Sequence, residues 1–450
     1  MELSRRLSQY VTSTDFDNLP KEVVDFTKIC ILDYFASAFI GTTTKPVKMI
    51  DELVNEMGGK EHASLVTGGK SSVMNAALVN GAASHIAELD DIHKSSVIHA
   101  ATVVIPAALA VAESENKTGK DLITAVVIGY EVCYRIGEAV TPSHYYHWHN
   151  TATCGTFGAA AAAAKLLDLD EEQTVHALGN AGTQAAGLWE FIEDGAMTKQ
   201  LHPGKAAMNG VISATLARKG FTGASKILEG SRGFFEAMSE GYDQSRITHD
   251  LFNVFKIMEN SFKVHASCRH THSAMDLMVD LRKERKIVSK EVDHIVVRTY
   301  QVALNITDNN DPRTEYGSKF SLQFCTALAL IEGKGGLDQF NDESLWSNEI
   351  RDLMKRVEVI ADPKIDRHYP EKWGALIEVH MKNGEIIEME TDFPKGDPEN
   401  AVTSQDIVDK FNTVAVNLSK KEKSSFVNYA LSLDELNDLQ TLMNFTQQKL

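Results

Sequence analysis

Asn150-Thr151-Ala152-Thr153-Cys154-Gly155-Thr156-Phe157-Gly158, followed by six alanines at 159 to 164, reads as a helix made almost wholly of small residues. Such a helix lets neighbouring backbones approach closely, and tight packing inside a helical body is its simplest meaning. The amides and hydroxyls of residues 150 to 153 are expected to cap its start. On either side of it, apolar residues recur at three and four, as in Val23, Phe26, Ile29 and Cys30, or Val126, Ile128, Val132 and Ile136. This period predicts helix nearly everywhere through about residue 260.

The texture changes near Lys263. His294–Tyr300 and Arg356–Ile360 read as strands, and Ala375–Met381 joins Glu385–Met389 through Lys382-Asn383-Gly384, a hairpin signal. Phe320 to Ile331 reads as helix between them, and helices return from Ser404. The expected fold is mainly α with an α+β domain: helical residues 1–264, an α+β lid over 265–400, and helical residues 401–450. If the last helices pack back on the first domain, the α+β part is an insertion, and the cleft between the two is the default ligand site.

The chain has 450 residues, 43% of them hydrophobic, and a net charge of −17. That length and composition give ample core. The charge argues against nucleic acid or an anionic membrane as the main partner. Five scattered cysteines without a Cys-x-x-Cys pair fit a reducing compartment, and neither an export signal nor a membrane span is legible, so a cytoplasmic location is expected.

Against this acidic background, ten of sixteen histidines fall in four short islands. They are His85 to His99, His144 to Thr153, Thr198 to Lys205, and Lys263 to His272. Residues 141–165, 195–209 and 261–272 hold no Asp or Glu, where overall composition predicts about seven. Cationic islands on an acidic protein suit a small anionic ligand. Read as a helix end, the first island puts Glu88 and Asp91 on one face with His85 and turns Asp90 away. His99 stands at the mouth of the apolar segment 100–112. His149 precedes a helix start, where backbone N–H groups and the dipole favour anions. Lys199 and His202 precede Pro203-Gly204, with a helix expected to open near Lys205. Arg269 offers a planar fork for a carboxylate, beside His270 and His272.

His147-x-His149 and His270-x-His272, with Asp90, Asp91 and His93, superficially resemble metal ligands. Lys199, Lys205 and Arg269 would repel a divalent ion, and no His-Glu-x-x-His motif occurs, so no metal is expected. Neither a phosphate-binding Gly-x-x-x-x-Gly-Lys-Ser/Thr nor a dinucleotide-binding Gly-x-Gly-x-x-Gly after a strand is present.

Taken together and in order, these islands resemble the MmgE/PrpD family. The resemblance rests on His85-Ile86-Ala87-Glu88-Leu89-Asp90-Asp91-Ile92, on His99 before Pro106, on Trp148-His149 ahead of the Ala-rich helix, on Thr198 to Ala207, and on Cys268-Arg269-His270-Thr271-His272. It implies a helical domain with an α+β lid, a homodimer, and dehydration, decarboxylation or epimerisation of small carboxylic acids without a cofactor. On this reading His99, His149, His272 and Lys199 are catalytic. Glu88, Asp91, His93, His202, Arg269 and His270 bind a small di- or tricarboxylate.

Lys199, His202 and Arg269 would stabilise charge growing on a carboxylate, while His149 and His99 move protons. His272 is a third proton carrier, from the lid side. Glu88 and Ile92 replace the family's Asp and Thr, Ala100-Ala101 replace Pro-Ser after His99, and Phe324 stands where a tyrosine is expected. Lost hydroxyls shift substrate choice. Dehydration is the first expectation, because it needs only an acid, a base and carboxylate clamps. A decarboxylase, an epimerase, a catalytically impaired carboxylate-binding protein and a metal-dependent hydrolase are the alternatives.

Overall fold

The computed structural model describes residues 2–447 and divides the chain into two compact units. The first comprises residues up to Ile86, Asp90–Asn260 and the C-terminal part from Thr403; the second comprises Ala87–Leu89 and Ser261–Val402. The fold is mainly α with a smaller α+β part, as the periodicities predict.

In the first unit, helices α1 (Lys21–Gly41), α2 (Val73–His85), α3 (Ala101–Ser114), α4 (Gly119–Val140), α5 (Asn150–Leu166), α6 (Glu171–Gly182) and α7 (Thr198–Arg218) form the body. Two later helices, Ser404–Val414 and Lys420–Leu431, pack on α1. Along α5 every residue from Asn150 to Ala164 is buried. Small residues are what allow this crowding. A Cβ added to Gly158 would stand 2.6 Å from the Gly129 carbonyl oxygen of α4, and one added to Gly204 of α7 would stand 2.2 Å from the Leu78 carbonyl oxygen of α2.

Backbone cannot yield to that extent without shifting the helix. Gly204→Ala is therefore expected to cost about 1–3 kcal/mol, read as a lowered melting temperature. Because α7 carries Lys199 and His202, the loss of activity in this variant should exceed what the melting temperature alone explains.

Two sequence expectations about helix ends fail. Asn150, Thr151 and Thr153 do not cap α5: Asn150 donates to the Ser96 carbonyl oxygen (2.7 Å), Thr151 Oγ1 accepts the His99 backbone N–H (3.1 Å), and Thr153 Oγ1 meets His144 Nε2 (2.8 Å). Buried polar groups on other segments outcompete the cap. Helix α7 opens at Thr198 and runs through Pro203, so Lys199 and His202 lie on its first turns. Among the described residues no helix is long and apolar enough to cross a membrane.

The second unit holds a four-stranded sheet of β1 (Val292–Thr299), β2 (Val357–Ala361), β3 (Ala375–Met381) and β4 (Ile386–Thr391), ordered β2-β1-β3-β4. β1 and β2 run parallel, with Ile295 opposite Val357. β3 pairs antiparallel with β1 (Val297 opposite Ile377) and with β4 (Ile377 opposite Met389). The hairpin β3–β4 turns at Gly384, whose φ of 90° suits glycine. Helices α8 (His272–Arg285) and α9 (Leu322–Glu332) cover one face.

Candidate active site

Helix α2 ends at His85, and the chain beyond it leaves the helical path, with Glu88 in the left-handed region at φ 56°. This overturns the shared face expected for His85, Glu88 and Asp91, because helical spacing has no meaning past the last turn. The acid that meets His85 is the one expected to turn away: Asp90 Oδ2 lies 2.7 Å from His85 Nδ1 and 2.9 Å from His99 Nδ1. His99 Nδ1 also stands 2.6 Å from the Asp91 carbonyl oxygen. Both rings thus aim an Nδ1–H at acceptors. His85 Nε2 is buried without a partner among the described residues.

His149, the residue before the first turn of α5, stacks on His85 with ring centroids 5.7 Å apart. Its Nδ1 lies 3.1 Å from His202 Nδ1 of α7. Trp189 meets His149 edge-on at 5.0 Å, and Phe191 meets His202 at 5.7 Å. Lys199 is 3% exposed on the same first turns of α7. The first unit therefore gathers His85, Asp90, His99, His149, His202 and Lys199 from three islands of sequence lying between residues 85 and 205.

Burial, then the neighbouring His202, His85, Lys199 and His99, hold the His149 imidazolium well below its ordinary range. His202 is lowered to about 3 by burial, with Lys205, His85 and Lys199 adding to it. Both rings are neutral at pH 7.

The Asp91 carboxylate points away from the histidines and accepts from Tyr130 (2.7 Å), Asn260 (2.8 Å) and the Ala101 N–H (3.1 Å). Burial pushes it up to about 7; the Tyr130 hydroxyl opposes the rise, while Asp33 and Asp90 add to it. Its substrate-binding reading gives way to a bracing one: it pins the start of α3 and, through its carbonyl, the His99 ring. His93 is likewise engaged at both nitrogens, with Ser96 Oγ at 2.8 Å and Glu259 at 3.1 Å, and stacks on Tyr134 at 4.1 Å. His144, lowered to about 4 by burial, spends both nitrogens on Met238 and Thr153. His147 is exposed.

These neutral buried histidines set an acid limit on stability. The unfolded chain binds their protons below the ordinary histidine value of about 6.5 while the folded chain does not, so stability falls as pH drops from there toward the folded values. Each such group contributes about 1.4 kcal/mol per pH unit in that window. Asp91 has the opposite sign, since its raised value removes stability as pH rises from about 4 to 7. With His144, His149, His202 and His272 held low and Asp91, Glu131 and Asp280 held high, the melting temperature is expected to fall from pH 6.5 to pH 5, and less steeply in His202→Gln.

Among the described residues two groups have the donors of a metal site: His85, Asp90 and His99, and His93, Glu138 and Glu259. Neither His-x-His pair of the sequence belongs to them. In the second group Lys256 Nζ already sits 2.9 Å from Glu138 and 3.1 Å from Glu259. In the first, the distances of 2.7 and 2.9 Å are those of charge-assisted hydrogen bonds.

The second unit carries a polar cluster of its own. Lys263, buried, donates to Glu88 Oε2 (3.1 Å), and the Tyr316 hydroxyl donates to Glu88 Oε1 (2.8 Å). Lys319 donates to the Ala87 carbonyl oxygen at 2.9 Å. The sequence reading gives no site role to Lys263 or Tyr316, nor to His85 and Asp90 of the first unit, although its first island and family motif contain His85 and Asp90 and its fourth island opens at Lys263.

Arg269 was expected to grip a substrate carboxylate, but its guanidinium is committed internally. It donates to Asp397 (2.5 Å) and to the carbonyl oxygens of Phe262 (3.2 Å) and Lys395 (3.0 Å). It also donates to His272 Nδ1 (3.0 Å), whose Nε2 is directed at the Ser267 carbonyl oxygen (3.3 Å). His272, held well below its ordinary range by burial and then by Arg269, has no ring nitrogen left for proton transfer in this arrangement. His270 stacks on Trp373 at 4.5 Å and bonds the Tyr300 hydroxyl at 2.7 Å. Phe324 is fully buried against Phe340, and Ile92 is buried as well.

The chain matches the MmgE/PrpD N-terminal domain over residues 5–247 and the MmgE/PrpD C-terminal domain over residues 265–435. It belongs to the MmgE/PrpD family. It is 26% identical to a cis-aconitate decarboxylase-like protein, oryM, of Aspergillus oryzae, over 98% of this chain and 96% of that protein. It is also 26% identical to the human cis-aconitate decarboxylase, over 94% of this chain and 90% of the relative. A mitochondrial 2-methylcitrate dehydratase of Yarrowia lipolytica is 28% identical over 62% of this chain and 55% of its own length. The named relatives of this MmgE/PrpD protein are thus a decarboxylase, a decarboxylase-like protein and a dehydratase, and at family level it is a lyase of carboxylic acids.

Proposed function

We propose that the protein is a cofactor-independent lyase acting on a small di- or tricarboxylate by histidine acid–base chemistry beside a carboxylate, with dehydration of a 2-methylcitrate-like acid as the first reading. The observation that carries it is the gathering of His85 and His99 on Asp90, with His149 stacked on His85 and meeting His202, and with Lys199 buried on the same first turns as His202.

Lys199 holds a substrate carboxylate and stabilises charge that develops on it when the adjacent carbon loses a proton. His99, its Nδ1–H directed at Asp90 and the Asp91 carbonyl, presents Nε2 as an acceptor that orients the substrate's hydroxyl. His149 and His202 supply the base and the acid. Asp91, His93, Arg269, His270 and His272 act as positioning residues, each already bonded within the protein. In solution the assembly is a homodimer, as the family resemblance implies.

Decarboxylation of a cis-aconitate-like acid is the second reading, favoured by full-length similarity to decarboxylases where the dehydratase similarity covers only part of the chain. Proton NMR in D₂O with 2-methylcitrate, citrate, cis-aconitate and aspartate-derived acids separates the two. A new vinylic signal from a hydroxy acid marks dehydration, and a decarboxylated alkene marks the second reading. Deuterium uptake without net loss would instead show epimerisation, and binding without any turnover or exchange would overturn the lyase reading.

A further inference from the structure

We propose that His149 and His202 form a two-histidine proton relay, in which one proton shared on the line between their Nδ1 atoms lets one Nε2 accept a proton while the other Nε2 releases one. The inference deepens the acid–base reading above and rests on it for its kinetic readout.

The Nδ1 atoms are 3.1 Å apart. A contact of that length between two ring nitrogens needs one N–H donor and one bare acceptor, so the two neutral rings must hold complementary tautomers. If His149 carries its proton on Nδ1, its Nε2 is bare and His202 carries its proton on Nε2. One ring then presents a base and the other an acid. Neither Nε2 has a hydrogen-bond partner among the described residues.

The pair is held in register from several sides. The His149 N–H donates to the Gly187 carbonyl oxygen (2.9 Å), and Trp189 and Phe191 pack on the two rings. A Cβ at Gly187 would sit 2.4 Å from Ala152 Cβ and 3.4 Å from His202 Nδ1, so the strand of chain beside the pair has no room for a side chain.

A relay answers a physical difficulty of this site. A single buried histidine that takes a proton becomes an imidazolium, which burial and the nearby Lys199 oppose. In the relay the pair stays neutral. During dehydration, His149 Nε2 takes the proton from carbon and leaves the C–H electron pair on the substrate. The Nδ1 proton of His149 moves to His202 Nδ1. The Nε2 proton of His202 then passes to the departing hydroxyl, which leaves with its bonding pair as water. Each ring ends in the opposite tautomer, and no net charge is created on the pair. Run in reverse, with a solvent proton taken up at His202 Nε2, the same shift delivers the His149 Nε2 proton to a carbanion left by loss of CO₂.

The test uses the full-length protein labelled with ¹⁵N-histidine. At pH 7 the ring nitrogens of His149 and His202, assigned with H149Q and H202Q, are expected to show two neutral rings of opposite tautomer. With the acid that is turned over, the wild-type rate should depend quadratically on the deuterium fraction of the solvent, as two protons in flight require. H202Q, which can keep the hydrogen bond but cannot pass a proton, should lose about 100-fold in kcat with KM little changed, and its dependence should become linear. Identical tautomers, an imidazolium in either ring at pH 7, or a linear dependence in the wild type would each overturn the relay. If no acid is turned over, the lyase reading fails, while the ring tautomers still decide whether the shared proton exists.

Discussion

His149→Gln is expected to lower turnover by roughly 10²- to 10⁴-fold, the range lost when a positioned proton-transfer group is removed, with the melting temperature little changed. Glutamine keeps a polar group of similar reach beside His202 Nδ1 and preserves the backbone bond to Gly187, so the fold has no reason to fail. Because Lys199 is untouched, KM should move much less than kcat, the pattern of an interaction that matters in the transition state. His149→Ala is a poorer probe, since it leaves His202 without its partner in a buried site. Near-normal kcat in H149Q would remove His149 from the mechanism and the relay with it.

The second large effect is expected at Asp90. One carboxylate oxygen faces the Nδ1 atoms of both His85 and His99, at 2.7 and 2.9 Å, and so selects the tautomer of both rings. Asp90→Asn replaces half of that acceptor by an amide N–H₂. Both rings face the same atom, so with the amide nitrogen there each must turn its Nδ1 into an acceptor, which moves its proton to Nε2 and removes the lone pair offered to the substrate. With the amide oxygen there, both lose their charged acceptor. A loss of about 10²- to 10⁴-fold in kcat is expected. It should be accompanied by a change of tautomer in ¹⁵N spectra of His85 or His99. Full activity in D90N would contradict the substrate-orienting role of His99. A lost signal from both rings together with a collapsed melting temperature would show instead that Asp90 holds the fold.

These two variants mark the boundary of what the sequence can express. His149 was legible because it stands between an aromatic cluster and a run of alanines, and a cationic group before a small-residue helix has a definite local meaning. Lys199 and His202 were legible for the same reason, although the helix proved to start at Thr198 rather than near Lys205. Asp90 was not legible: the spacing rule that assigns faces to residues 85–91 assumes a helix, and the helix stops at His85. Arg269 shows the converse error. A guanidinium in a cationic island reads as a carboxylate grip, yet Asp397, 128 residues later, already meets it in the buried interior.

By itself the sequence determined the helical body, the α+β segment with its hairpin at Lys382-Asn383-Gly384, and the membership of one specific family, because periodicity, turn chemistry and motifs are local properties of the chain. The tertiary structure alone decided which groups are free to react. It joined His85, Asp90 and His99 around one carboxylate oxygen, set His149 against His202, and committed Arg269, His272 and His93 to partners inside the protein. The physical reason is that a hydrogen bond in a buried site depends on distances of tenths of an ångström between residues far apart in the chain, and no local pattern encodes them.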